Sequence, residues 1–161
     1  MKSRFEQRDG FSLVEVTLAL GVAAISLLAI FSLLPVGMQT NQRAIEQTAS
    51  ADILSTVAAD LRATQVTNPR GGAATSLQFA ISIPANPVTG ATTTTLFFNS
   101  EGQVATSLRS NSRYRLTVTF LPNGSDARTA TFADLKMTWP AAATVTNAQG
   151  SAEMFAAFDR N

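Results

Sequence analysis

One carboxylate, Glu15, stands inside the most apolar stretch of the chain, FSLVEVTLALGVAAISLLAIFSLLPV from Phe11 to Val36. It is the only charge there. A charge at the centre of a membrane helix costs about 2.5–3.5 kcal/mol on insertion scales and less near the interface, so an acid kept in such a run reads as functional. Its place about one turn from the start of the run also sets it at the positive end of the helix dipole. The rest of the chain offers little other chemistry. There is no cysteine and no histidine, which removes disulfides, thiolate nucleophiles, Cys/His zinc sites and histidine general bases. Serines and threonines are plentiful, yet no histidine activates them and no Gly-x-Ser-x-Gly elbow is present. No catalytic residue, metal site or cofactor is expected, and an enzyme is the least favoured class.

The element that carries Glu15 is long. Roughly 26 residues of helix reach about 39 Å, enough to cross a bilayer core of about 30 Å with some tilt. Ahead of it lies a short polar leader, MKSRFEQRDG, with Lys2, Arg4 and Arg8 against Glu6 and Asp9. Basic residues on this side predict a cytoplasmic leader and a C-terminal domain beyond the membrane. A secretory signal peptide needs an apolar core of about 7–15 residues and a small-residue cleavage site. This run is longer, and Gln39-Thr40-Asn41-Gln42 is a poor site.

The leader, Gly10, Phe11, Ser12, Leu13, Val14 and Glu15 together resemble the class III signal of type IV pilins and type II secretion pseudopilins. That signal is a short basic leader ending in glycine, then phenylalanine, an apolar stretch, and a glutamate fifth from the cut. The resemblance implies cleavage by a prepilin peptidase between Gly10 and Phe11 and N-methylation of Phe11. It also implies that Glu15 pairs with the methylated amine of a neighbouring subunit during assembly. Other pilin or pseudopilin subunits, the inner-membrane assembly platform and membrane lipid are the partners it implies; nucleic acid is not indicated. The precursor would be a single-pass inner-membrane protein with a periplasmic domain, later drawn into a pilus or pseudopilus as a structural subunit, and its short outer domain and modest loops suggest a minor one. A longer pattern (VEVTLALGV, LLPVG, ADLRAT, SRYRLTVTFLP, DLKMTWP) is similar to the pilin-type family called Verru_Chthon cassette protein B. The alternative is a membrane-anchored minor pilin that displays its domain to bind DNA, a surface or a secreted substrate.

Pro35 punctuates the run and predicts a kink, since proline removes one helical hydrogen bond. The helical pattern then resumes. Ile45, Ala49, Ile53, Val57 and Leu61 recur every fourth residue, with Leu54 and Ala58 beside them. Gln42, Arg43, Glu46, Gln47, Asp52, Asp60 and Arg62 are assigned to the opposite face. The expected helix runs from about Phe11 to Arg62, roughly 78 Å if straight. Thr67 to Ser76 breaks it with Pro69 and a glycine pair.

Beyond the break the period changes to two. Leu77, Phe79, Ile81 and Ile83 predict a strand that Pro84 ends, followed by a loop to Gly90. Thr93 to Asn99 predicts another, with a turn at Glu101-Gly102. Tyr114, Leu116, Val118 and Phe120 alternate with Arg115, Thr117 and Thr119. Pro122-Asn123-Gly124 signals a hairpin, and Thr129 to Trp139 returns with Phe132, Leu135, Met137 and Trp139 on one face. Ser151 to Phe158 fits a last strand or a short helix, with the strand preferred. The expected fold is α+β and pilin-like: a long N-terminal helix, half membrane and half amphipathic, packed on an antiparallel sheet of four or five strands. The divisions are a leader at 1–10, an assembly helix at 11–36, an amphipathic helix at 37–66 and a sheet domain at 67–161.

Three minor features remain. The pseudopilin resemblance allows a calcium loop near the C-terminus, for which Asp126 is the single hint, and a solvated turn explains it better. Asn123-Gly124-Ser125 fits a glycosylation sequon, which turn chemistry also explains. Arg109, Arg113 and Arg115 form a small basic group, read as an exposed strand face before an anion or DNA contact. The chain after Val36 carries nine basic and eight acidic residues, so no strong polyanion site is expected.

Overall fold

A computed structural model of the chain describes residues 10–64, 72–124 and 130–159. The leader up to Asp9, the break at 65–71, and 125–129 with Asp126 lie outside the described residues. The long helix α1 spans Leu13–Ala63 and is helical through Pro35. The chain divides into two units, Met1–Ala44 and Ile45–Asn161. In the first, every described residue from Gly10 to Ala44 is exposed.

In the second unit the last part of α1 buries Glu46, Ser50, Ile53, Leu54, Val57, Ala58 and Leu61. Two of the expected assignments change places here. Ile45 is 60% exposed and Glu46 is 7% exposed, because the carboxylate of Glu46 finds the guanidinium of Arg113 across the fold. An ion pair of this kind lets a charged residue occupy an apolar stripe that an unpaired one would avoid.

Those helical residues pack on one face of a five-stranded antiparallel sheet. Its strands are β3 (Thr92–Phe98), β4 (Val104–Ala105), β5 (Tyr114–Leu121), β6 (Thr131–Trp139) and β7 (Gly150–Phe158), in the order β4-β3-β5-β6-β7. Two further short strands, β1 (Ala74–Thr75) and β2 (Ser82–Ile83), pair with each other. Register aligns Leu96 with Leu116, Leu116 with Met137, and Val118 with Leu135. One continuous apolar layer results, with Phe98, Phe120 and Ile81 also fully buried. The outer rows of β3, β5 and β6 are mostly threonine and charge, the one-sided alternation of a sheet with a single buried face.

The expected strand at Leu77–Ile83 is mostly a turn. Asp60 of α1 turns its carboxylate to the N–H groups of Gln78 and Phe79, each at 3.2 Å, and Ser76 Oγ accepts the Ile81 N–H at 3.1 Å. These side-chain acceptors replace ladder partners. Ala80 takes a left-handed φ of 53°, so the alternation breaks: Phe79, Ile81 and Ile83 are buried while Leu77 is 91% exposed. Phe132 is a second correction. β6 is regular, so residue 132 falls on the face opposite 135, 137 and 139, and Ala133 takes the inward place. The β5–β6 hairpin forms as expected, and β7 adds to the sheet as a strand antiparallel to β6.

Candidate functional site

The start of α1 is set by Ser12. Its Oγ accepts the N–H of Glu15 at 3.2 Å and its carbonyl accepts the N–H of Val16 at 3.2 Å. Ser12-Leu13-Val14-Glu15 is thus an N-cap followed three residues on by glutamate, the spacing of a capping box. Gly10, Phe11 and Ser12 precede the helix and are exposed. A side chain at residue 10 would meet nothing within 4 Å, and its φ lies outside the left-handed region. The fold therefore gives no reason for glycine at this position.

Capping and dipole together explain only part of Glu15. A carboxylate in the first turn gains about 0.3–1 kcal/mol from the dipole, against about 2.5–3.5 kcal/mol for deep lipid burial. The neighbouring polar side chains show the contrast. Thr17 donates to the Val14 carbonyl at 2.9 Å and Ser26 to Val22 at 2.8 Å. Ser32 donates to Ala29 at 2.7 Å and Thr40 to Val36 at 2.9 Å. Every hydroxyl of the apolar run is satisfied by the backbone of its own helix, as an apolar medium demands. Among the described residues, the Glu15 carboxylate has no partner. Pro35 deprives the Phe31 carbonyl of its helical donor, the one such loss in the run.

Around this acid lies a large apolar surface. Sixteen large apolar side chains between Phe11 and Met38 are exposed. At about 1.5 kcal/mol each for burial, leaving them in water forgoes about 20 kcal/mol or more, beyond the whole stability of an ordinary domain at about 5–15 kcal/mol. This helix is long and apolar enough to cross a membrane.

The three arginines do not form one patch. Arg113 is held by Glu46, and Arg115 lies over the Phe97 ring, 5.6 Å from its centroid. Arg109 sits in the exposed loop before β5, where its N–H donates to Ser112 Oγ at 3.0 Å. Near the Glu46–Arg113 pair, burial and then the charge of Glu46 push the Tyr114 hydroxyl above its ordinary 10.0, with Arg113 opposing. The Asn123 sequon is spoken for. Its Nδ2 donates to Asn86 Oδ1 at 3.1 Å and to the Ala130 carbonyl at 2.8 Å, and its Oδ1 accepts the Val88 N–H at 2.7 Å. Glycan attachment there would break the joint between the Pro84–Gly90 loop and the β5–β6 turn. No group of three or more metal-ligating side chains occurs among the described residues.

Sequence reading missed two of these features. The Ser-x-x-Glu spacing was available as a signal for the cap, whereas the Glu46–Arg113 pair joins residues 67 apart and leaves no local trace. No family profile, curated protein or solved structure matches the chain. The fold itself, one long apolar N-terminal helix followed by an antiparallel sheet, is consistent with a pilin-like architecture.

Proposed function

We propose that this chain is a pilin-like structural subunit of a type IV pilus or type II secretion pseudopilus, made as a bitopic inner-membrane precursor. The observation that carries the reading is the apolar half of α1: wholly exposed, with its hydroxyls internally satisfied and one acid unpartnered. Lipid covers such a surface first and neighbouring helices cover it after assembly. Cleavage falls between Gly10 and Phe11, in the exposed non-helical segment ahead of the Ser12 cap, at a glycine the fold does not require. The new amine at Phe11 then stands near the acids of adjoining subunits. An amine and a carboxylate cost much apart in an apolar core and far less together. The leader faces the cytoplasm and the outer unit the periplasm. The closer likeness to Verru_Chthon cassette protein B is compatible with this task and adds no other.

Intact-mass and peptide mass spectrometry of the mature protein should find Phe11 first and carrying one added methyl. Glu15→Ala should be processed normally while incorporation into sheared filaments falls at least about tenfold, as loss of one buried charge partner predicts. Unchanged incorporation would refute the pairing.

A further inference from the structure

The β3–β4 turn and the loop leading into β5 line an open polar recess of about 270 Å³ that the assembly reading leaves without a task. Phe97, Asn99, Gln103, Arg109, Asn111 and Ser112 contribute to its wall. Asn99 is 6% exposed and builds the frame. Its Oδ1 accepts the N–H groups of Glu101 at 3.1 Å and Gln103 at 2.8 Å, and its Nδ2 donates to Gln103 Oε1 at 2.9 Å. Gly102, at φ 76°, closes this turn. The opposite rim is held by the reciprocal bonds between Arg109 and Ser112, at 3.0 and 3.1 Å. The frame is therefore fixed by its own hydrogen bonds before any ligand arrives.

The groups left over face one kind of chemistry. Among the described residues the Arg109 guanidinium has no ion pair or hydrogen-bond partner, and no carboxylate lines the cavity. An unpaired guanidinium in a polar recess selects a carboxylate or phosphate oxygen pair. The amide of Gln103 keeps its donor end, the Asn111 amide keeps both ends, and the Ser112 hydroxyl keeps its proton. Paired donors and acceptors of this type suit vicinal hydroxyls, not a bare anion. Phe97 supplies the apolar part of the wall, with Arg115 fixed over its ring. The volume lies just under the roughly 300 Å³ at which drug-sized pockets begin, so it matches one substituted ring and exceeds a lone carboxylate.

We propose that this cavity binds a carboxylated pyranose, a uronic-acid-type sugar, with Arg109 on the carboxylate and Gln103, Asn111 and Ser112 on the hydroxyls. The cavity lies wholly within the outer unit, so the proposal stands whether or not α1 assembles as described. The test is isothermal titration of the full-length chain in detergent micelles with sodium D-glucuronate. D-glucose, sodium acetate, sodium phosphate and a short acidic peptide are titrated at matched ionic strength. Glucuronate should saturate with a Kd on the order of 1 mM, and glucose and acetate should each bind at least about tenfold more weakly. Arg109→Gln should weaken glucuronate at least about tenfold with no change in the thermal midpoint, and Asn111→Ala about threefold. No saturable heat, or acetate, phosphate or peptide binding as tightly as glucuronate, would overturn the proposal. So would full affinity in Arg109→Gln.

Discussion

Gly150→Ala should loosen the last strand, and the size of the effect follows from one close approach. Gly150 pairs with Trp139 across the β6–β7 ladder. A Cβ at residue 150 would lie 2.3 Å from Trp139 Cζ2, 2.4 Å from Cε2 and 2.6 Å from Nε1. Comfortable carbon contacts begin near 3.5 Å, so the indole must retreat by about 1 Å. It has little room, being 7% exposed and set edge-on to Tyr114 with centroids 6.2 Å apart. Overpacking of this kind costs about 2–3 kcal/mol, which for a unit of this size lowers the thermal midpoint by about 10 °C. Trp139 is the only tryptophan, so its fluorescence reports both the melt and the displacement of the ring, as a red-shifted emission. The decisive comparison is the same change in a Trp139→Leu background. With the indole gone, alanine should be neutral or stabilise by about 0.5–1 kcal/mol, since glycine is a poor strand residue. An undiminished cost in that background would show that the indole is not the obstacle, and the reasoning would fail.

Two other perturbations probe the second unit. Glu46→Ala strands the Arg113 guanidinium at the edge of the core. With the Arg113 side chain about 40% exposed and the Glu46 side chain about 9%, the loss should be about 1–2 kcal/mol, and Arg113→Ala in the same chain should recover part of it in a denaturant double-mutant cycle. Asp134 sits on the outer face of β6 with its Oδ1 buried and unpartnered among the described residues. Burial, and then the charge of Glu153, hold its carboxyl above the ordinary 3.8, with Lys136 opposing. A raised acid binds its proton more tightly folded than unfolded. Its contribution is therefore complete below 3.8 and is lost as pH rises through the higher folded value. Asp134→Asn should match the parent near pH 3 and exceed it near pH 7 by at most about 1 kcal/mol, solvent screening limiting the gain at this half-buried site. Equal stability of the two chains at both pH values would sink that account.

What could be read from the amino acids alone follows a physical line. The amphipathic half of the helix and β5 were legible because burial repeats along them with one period, whereas Ser151 to Phe158 suited strand and short helix alike; the isolated acid was legible because nothing near it in sequence could share its charge. Features set by partners far along the chain were not. Asp60 reaches over to Gln78 and Phe79, and that contact turned an apparent strand into a bend and pushed Leu77 into solvent. Glu46 looked like a solvated residue because its stabilising charge lies on β5's threshold. The arginines at 109, 113 and 115 make the same point most sharply. Close spacing reads as one basic patch, but a patch requires that the side chains share a face and remain unpaired. The turn into β5 gives Arg113 to Glu46, the pleat of β5 sets Arg115 over Phe97, and Arg109 alone of the three has neither an ion pair nor a ring contact among the described residues. Charge counting along the chain, nearly balanced after Val36, gives no polyanion surface and equally misses a single recess with one unpaired guanidinium. That is why the arginine with no structural task is the one on which a binding test should be spent.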